Sequence, residues 1–355
     1  MSASNSELWR TLLEHRTKTS STRFEELLTS AINIPDGIRA IASVSHQNLR
    51  DFLRKECERD STFPAVLKDA DFLGGSFARH TKVRPLDDID IYIPLDGANL
   101  FYYMHGTVLP YRLLTDGMQW NPLLTPRWAN GSFVSSAKVV NEFTSVLRRK
   151  FPQTKVKPSG QAVSVQMTYG ETSESSGLGF DVVPCFSLVP QSGEGGSFYL
   201  IPDGGDQWIR TNPLRDAGIA DVLQQNHNRN FRKVVKIVKY WNAEELDGKL
   251  NSYFIELAIA RVLWDKAVKS EPVNPLSYGV ALGFWGVQQA ALLGSQDPWV
   301  PEAPKVRAGI ILAGDLLQLK SATDLACAAW EDEKLGKLAT AVAGWKRVFG
   351  DKFPD

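Results

Sequence analysis

Cysteine and histidine are scarce in this chain. Its 355 residues include three cysteines and five histidines, and their positions show neither the spacing of a zinc site nor that of a disulfide framework. We therefore expect reduced thiols, as in a cytoplasmic protein, and we assign no catalytic role to the histidines.

Net charge and long apolar runs are also absent. The 40 basic residues balance the 40 acidic residues, so no whole-molecule field draws the protein towards nucleic acid or acidic lipid. No segment approaches the roughly 18 consecutive apolar residues of a membrane span, and residues 1–23 contain no signal-peptide core. We expect a soluble, cytoplasmic protein that needs neither a membrane nor nucleic acid.

The hydrophobic pattern predicts two domains. Helical spacing covers residues 25–59, and residues 96–134 are predicted to have little regular structure. Strands are predicted at 89–93, 162–167, 179–186 and 198–201, and further helices at 135–150, 228–242, 252–267, 275–293, 308–319 and 322–348. Because the chain is longer than one hydrophobic core usually supports, we predict an α/β catalytic half at 1–205 and a helical half at 206–355.

Two aspartates lie at alternate positions of one predicted strand. Asp88 and Asp90 are separated by a single isoleucine, and side chains at i and i+2 of a strand project from the same face. Hard divalent cations prefer carboxylate oxygens arranged in this way. Asp87 points to the opposite face, so we leave it out of the predicted metal site. Taken alone, the pair is equally consistent with a solvent-facing strand edge.

A third acid, Asp181, lies inside the apolar run 179–184. A buried carboxylate is costly unless it is paired or binds a metal. If its strand lies beside residues 89–93, Asp181 joins Asp88 and Asp90 in a cluster suited to two Mg²⁺ ions, for which Mn²⁺ can substitute. Mg²⁺ usually completes its coordination with substrate phosphates, so we expect a nucleoside triphosphate as substrate.

A glycine turn precedes the acid pair. In Gly74-Gly75-Ser76 the glycines allow backbone N–H groups to approach a phosphate, and the serine hydroxyl adds another donor. Such a turn by itself is more often only a turn. Its position shortly before the acids makes Gly75 and Ser76 candidate nucleotide-binding residues.

Together, the turn and the three acids resemble the polymerase-β-like nucleotidyltransferase superfamily. More segments are similar, in order and spacing, to the cGAS/DncV-like nucleotidyltransferases of bacterial anti-phage signalling (CBASS): 160–165, 180–184, 201–213, 236–241, 252–256 and 345–350. The resemblance runs from about residue 45 to residue 355. It implies an α+β fold, with a polymerase-β-like core of mixed sheet and helices and a C-terminal helical domain that completes the nucleotide-binding cleft.

The resemblance also assigns roles to residues of the core. It makes Asp88 and Asp90 ligands of both metal ions, and Asp181 the third ligand, placed to help deprotonate the attacking hydroxyl. Ser76, with Gly75 before it, corresponds to the turn that holds the triphosphate.

Three residues of the helical half receive roles in the same way. Lys239 matches a lysine that contacts donor phosphates, and Ser252 and Tyr253 match a pair that hydrogen-bonds the phosphates and stacks on the donor base. The residues alone agree only in part, because a lysine on a helix is more often solvated and a tyrosine in an apolar helix is more often a core residue.

The implied activity joins nucleoside triphosphates, such as ATP, GTP or pyrimidine triphosphates, into a cyclic di- or trinucleotide that a separate effector reads. A CBASS accessory protein is a further potential partner. Two alternatives stay open. One is a nucleotidyltransferase that extends RNA or makes linear oligonucleotides, although the neutral charge argues against dependence on a long nucleic acid. The other is a catalytically silent nucleotide-binding protein, against which the presence of all three acids argues.

Overall fold

The computed structural model describes residues 18–60, 63–67, 69–104, 111–114, 121–168, 177–188, 198–294 and 308–355. Sheet and helix are both extensive, which confirms the predicted α+β class. The described residues form two compact units. We call them the sheet unit, residues 34–221, and the helical unit, residues 18–33, 222–294 and 308–355. This division falls at residue 221 rather than at 205, and it groups residues 18–33 with the later helices.

The elements are numbered along the chain. The helices are α1 Ser20–Leu27, α2 Asp36–Arg59, α3 Gly75–Ala78, α4 Ser136–Lys150, α5 Pro213–Asn226, α6 Phe231–Glu245, α7 Ser252–Val268, α8 Leu276–Leu293, α9 Ala313–Lys334 and α10 Leu338–Phe349. The strands are β1 Phe72–Leu73, β2 Asp90–Pro94, β3 Phe101–Met104, β4 Tyr111–Leu114, β5 Ala129–Asn130, β6 Phe133–Val134, β7 Lys155–Ser159, β8 Ala162–Thr168, β9 Gly177–Leu188, β10 Phe198–Pro202 and β11 Trp208–Thr211.

The strands form one mixed sheet around the long strand β9. Strand β8 pairs antiparallel with the first half of β9, and β10 pairs antiparallel with its last residues. Strand β2 runs parallel to the middle of β9, and β1 continues the sheet on the other side of β2. The path then proceeds from β10 through β11, β4 and β6 to β5. Strand β9, which carries Asp181, therefore pairs directly with β2, which carries Asp90.

Helix α4 lies where its sequence pattern predicts it. The hydroxyl of Ser135 accepts a hydrogen bond from the Lys138 backbone N–H at 3.1 Å, which caps the helix. Apolar residues at helical spacing are buried on one face: Val139, Val140, Phe143, Val146 and Leu147. They pack in the same core as the isoleucines of β2.

Two details of the secondary structure contradict the sequence prediction. Residues 96–134 were predicted to lack regular structure, but their described part contains four short strands, β3 to β6. Strands β3 and β4 pair with each other, as do β5 and β6. Each strand has only two to four residues, too few to show a clear alternation of apolar and polar side chains. The predicted break between residues 319 and 322 is also wrong: α9 continues to Lys334, and the chain turns at Gly336, where φ is +75°.

An aromatic cluster joins the N-terminal and C-terminal segments of the helical unit. The ring of Phe24 on α1 lies 4.9 Å from Trp345 and 5.0 Å from Phe353, and all three side chains are buried. Arg23 donates a hydrogen bond to the Pro354 carbonyl at 2.9 Å. Residues 353–355, which a frayed tail would leave in solvent, are therefore held to the unit. None of the helices in the described ranges is long and apolar enough to cross a membrane.

Substitution Phe353→Ala tests this cluster. Removal of a buried phenylalanine ring leaves a cavity and costs about 3–5 kcal/mol. We expect the melting temperature to fall by roughly 10 °C, measured by calorimetry. The control is Asp355→Ala, because the Asp355 side chain is 94% exposed and pairs only with Lys346 among the described residues; we expect a change below about 1 kcal/mol. Equal effects of the two substitutions would contradict the proposed packing role.

Candidate active site

Strands β2 and β9 bring two of the predicted acids side by side. In the parallel ladder, Asp90 is the register partner of Asp181, and neighbouring strands lie about 4.8 Å apart. The Asp181 N–H donates to the Ile89 carbonyl at 2.9 Å, so the pairing begins one residue before β2. The condition set by the sequence, that the strand of Asp181 lies beside residues 89–93, is met.

The acids and the main core occupy opposite faces of the sheet. Ile89, Ile91 and Ile93 are fully buried in the main core, together with Phe180 and Val182 of β9. Because side chains alternate along a strand, the residues between them, including Asp90 and Asp181, project from the other face. Further along that face a smaller apolar cluster covers the sheet, with Tyr92, Val183, Cys185 and Tyr199 among its members.

The glycine turn lies directly against the Asp90 carboxylate. At Gly75 the backbone φ is +61°, and a Cβ atom placed there would be 1.6 Å from Asp90 Oδ2. The Gly74 N–H donates to the Asp90 carbonyl at 2.9 Å, which fixes the turn at the start of β2. Residue 75 must therefore be glycine for both conformational and steric reasons, and Ser76 follows it in the short helix α3.

A second glycine permits the close approach of β9. A Cβ atom at Gly179 would lie 1.6 Å from the Asp87 carbonyl oxygen. The Gly179 carbonyl accepts the Ile89 N–H at 2.9 Å. Gly179 thus lets the backbone before β2 lie against β9, two residues before Asp181. Gly179 is not among the residues predicted for the site, although a glycine inside an apolar strand signals such an approach.

Burial and mutual repulsion disfavour the ionised acids. Burial, followed by the charges of Asp88 and Asp181, raises the pKa of Asp90 to about 6. Burial and the Asp88 charge also raise the pKa of Asp181, against the opposing effect of a hydrogen bond from Ser164. Burial likewise raises the pKa of Asp88, although Lys82 opposes it. The protein does not fully compensate the negative charge that it gathers here.

Lys82 contacts Asp88, the first of the three predicted acids. Its ammonium forms ion pairs with the carboxylates of Asp87 and Asp88. Within the described ranges, no three acidic, histidine or cysteine side chains are already arranged to enclose a metal ion. Asp87 and Asp88 thus share Lys82 as a partner, although the sequence predicts that Asp87 points to the opposite face. Sequence position alone does not indicate this pairing.

Strand β8 supports Asp181 from the other side. Ser164 is the register partner of Asp181 and is buried, and its hydroxyl is the group that hydrogen-bonds the carboxylate. Gln166 Nε2 lies 3.3 Å from the Ser164 hydroxyl oxygen, to which it donates. Neither residue is among those predicted for the site. Both occupy polar positions of an alternating strand, and that pattern was the available signal.

The candidates Lys239, Ser252 and Tyr253 belong to the helical unit. Lys239 on α6 is buried, with 4% of its side chain exposed, and its ammonium pairs with Glu256 on α7. Ser252, at the start of α7, is exposed, and Tyr253 is partly buried. The expectation of a solvated Lys239 is wrong, because a buried acid accompanies it. Glu256 is a single charge between apolar residues of α7, which signals a buried partner but does not identify Lys239.

Asn251 shapes the start of α7. Its side-chain carbonyl accepts hydrogen bonds from the N–H groups of Tyr253 at 2.8 Å and Phe254 at 3.2 Å. This cap holds Ser252 and Tyr253 in the first turn of the helix.

Comparison with known proteins finds a curated relative and solved structures of the same fold. No protein-family model matches it. A Bacillus cereus (strain VD146) protein named a probable cyclic nucleotide synthase is 24% identical over 348 residues, which cover 95% of this chain and 98% of the relative.

Solved structures of CdnC from E. coli MS115-1, a cGAS/DncV-like nucleotidyltransferase, share the fold at 18% identity. The structure with ATP has a TM-score of 0.61, with 94% of this chain and 99% of that chain covered. The structure of the CdnC:HORMA-deltaN complex has a TM-score of 0.62, with 97% and 100% covered. The fold predicted from the motifs is confirmed: this chain has the fold of the CdnC nucleotidyltransferase structures.

Proposed function

We propose that this protein condenses nucleoside triphosphates into a cyclic di- or trinucleotide and releases pyrophosphate, with the chemistry at the three carboxylates of the sheet unit. The observation that carries the proposal is the register of Asp90 with Asp181 beside the turn at Gly75. Two comparisons support it: the Bacillus cereus relative is named a probable cyclic nucleotide synthase, and CdnC was solved with ATP.

The donor set fits two Mg²⁺ ions, with Mn²⁺ as a substitute. Carboxylate oxygens are the ligands that these cations prefer. A cation would offset the burial and the mutual repulsion that raise the pKa of Asp90 and of Asp181. Asp88 and Asp90 would hold both ions and Asp181 one. Bound ions would polarise the α-phosphate and neutralise charge on the attacking and leaving oxygens.

The protein groups around the acids would orient the reactants. The N–H groups of the turn at Gly75 and the Ser76 hydroxyl would bind the triphosphate. Asp181 would accept the proton of the attacking ribose hydroxyl. The hydrogen bond from Ser164 would hold that carboxylate in one orientation.

The helical unit would contribute to donor recognition. Ser252 is exposed at the N-terminus of a 17-residue helix, where a hydroxyl and the helix dipole both favour a phosphate. The partly exposed ring of Tyr253 offers a stacking surface for a base. Lys239 would reach a phosphate only after separation from Glu256, with which it is buried.

A cyclic nucleotide messenger acts through a protein that binds it. We propose that a separate effector reads the product in an anti-phage (CBASS) response in the bacterial cytoplasm. The CdnC:HORMA-deltaN complex supports an accessory protein as a further partner of this chain.

The acid substitutions Asp88→Asn, Asp90→Asn and Asp181→Asn should each abolish synthesis. Neutral amides are poor ligands for two adjacent divalent ions, and we expect turnover to fall about 10³-fold or more. The measurement incubates the protein with Mg²⁺ or Mn²⁺ and four labelled triphosphates, followed by phosphatase treatment and separation. A phosphatase-resistant product identifies a cyclic nucleotide. A product that phosphatase degrades would indicate linear synthesis, and unchanged activity in the three variants would refute the site.

Asp90→Asn should also stabilise the metal-free protein. The folded-state pKa of Asp90, about 6, lies above its ordinary value of 3.8; its ionisation above pH 6 therefore disfavours the folded state, and this cost vanishes as the pH falls towards 4. We expect the variant to be more stable than the wild type by roughly 1–3 kcal/mol at pH 8 and equally stable at pH 4. Thermal unfolding in EDTA measures the difference. Added Mn²⁺ should stabilise the wild type alone, and a variant less stable at pH 8 would contradict the account.

Gly75→Ala should disrupt the site, whereas Gly160→Ala should not. Both glycines have positive φ, +61° and +57°, so both substitutions incur similar backbone strain. Only at residue 75 does the new methyl group meet the Asp90 carboxylate; at residue 160 nothing lies within 4 Å. We expect synthesis to fall about 100-fold or more in Gly75→Ala and less than about threefold in Gly160→Ala. Equal losses would assign the effect to strain alone.

A further inference from the structure

The cation that contacts the acid cluster is a side chain of the protein itself. Lys82 Nζ lies against the carboxylates of Asp87 and Asp88. The lysine side chain is 14% exposed, whereas that of Asp88 is 48% exposed. Burial lowers the pKa of Lys82, but the two carboxylates more than compensate and the net shift is upward. The ammonium is therefore a permanent positive charge at neutral pH.

The backbone of Lys82 adjoins the turn that we propose as the triphosphate site. The N–H groups of Thr81 and Lys82 both donate to the Ser76 carbonyl, at 2.9 and 3.1 Å. The lysine Cα is thus anchored to the loop that follows Ser76, while its ammonium reaches the acids. A flexible four-carbon side chain can move such a charge between neighbouring acceptors without movement of its backbone.

We propose that Lys82 is an internal cation that occupies Asp88 before substrate binds and transfers to the triphosphate when the nucleotide arrives. This inference rests on the proposed function. The nucleotide supplies phosphate oxygens as alternative partners for the ammonium, and Asp88 is then released to act as a metal ligand. Nucleotide binding and metal binding are coupled in this arrangement, and the coupling is reciprocal. Lys82 thereby contacts substrate phosphates and also limits metal binding in their absence.

The coupling has a direct consequence for ligand affinities. Without Lys82, a divalent ion no longer competes with an ammonium for Asp88 and should bind more tightly. A nucleotide in the absence of metal loses a phosphate contact and should bind more weakly. One substitution thus moves the two affinities in opposite directions, which loss of fold cannot do.

The experiment measures Mn²⁺ binding by electron paramagnetic resonance and, in EDTA, the binding of a fluorescent non-hydrolysable ATP analogue. Wild type, Lys82→Gln and Lys82→Met are compared, with Asp88→Asn as the background for Mn²⁺ bound elsewhere. We expect removal of Lys82 to tighten Mn²⁺ binding about tenfold and to weaken metal-free nucleotide binding by a similar factor. The control Arg84→Gln removes the same charge from an exposed position on the same loop and should shift each affinity less than about twofold.

Three results would overturn the inference. Unchanged Mn²⁺ affinity in both Lys82 variants would show that Lys82 does not compete with the metal ion for Asp88. That result would leave the proposed function intact. Equal shifts in Arg84→Gln and Lys82→Gln would reduce the effect to general electrostatics. Absence of Mn²⁺ binding above the Asp88→Asn background in every variant would remove the metal site itself, and with it the proposed function.

Discussion

The structure depends on one costly arrangement: carboxylates gathered on neighbouring strands of a sheet. Strand β9 places Asp181 opposite Asp90, and burial, with the charges of Asp88 and Asp181, raises the pKa of Asp90 to about 6. Apolar residues on the reverse face of the same strands offset that cost, since Ile89, Ile91 and Val182 are fully buried. The same alternation that builds the core therefore assembles the site.

Close backbone contacts hold this arrangement. Gly75 lies against the Asp90 carboxylate, and Gly179 lies against the Asp87 carbonyl, so two residues without side chains determine how closely the turn and β9 approach β2. Ser164 restrains Asp181 from the third strand. Such groups fix a catalytic geometry without contact with the substrate, which explains why the site spans three strands and a turn rather than a single loop.

Helical periodicity was sufficient to predict α4. Period-two alternation predicted that Asp88 and Asp90 share a strand, but in the structure β2 begins at Asp90 and Asp88 lies just before it. The pairing of Asp90 with Asp181 could be predicted only on the condition that their strands are neighbours, because contacts between residues distant in sequence leave no local pattern. Strands β3 to β6 went unrecognised because each has only two to four residues, too few for an alternating pattern. The ion pairs Lys82–Asp88 and Lys239–Glu256 depend on side-chain directions that composition and spacing do not encode. The family resemblance supplied the residue roles that periodicity could not.

The central claim is that the three carboxylates form a two-metal centre at which triphosphates react. Anomalous diffraction from crystals grown with Mn²⁺ and a non-hydrolysable nucleoside triphosphate tests it most directly. The account predicts two anomalous peaks, about 3.5–4 Å apart, bounded by the carboxylates of Asp88, Asp90 and Asp181, with the phosphates beside Ser76. Nucleotide bound in this region with no metal peak at these carboxylates, or metal bound only elsewhere, would contradict it.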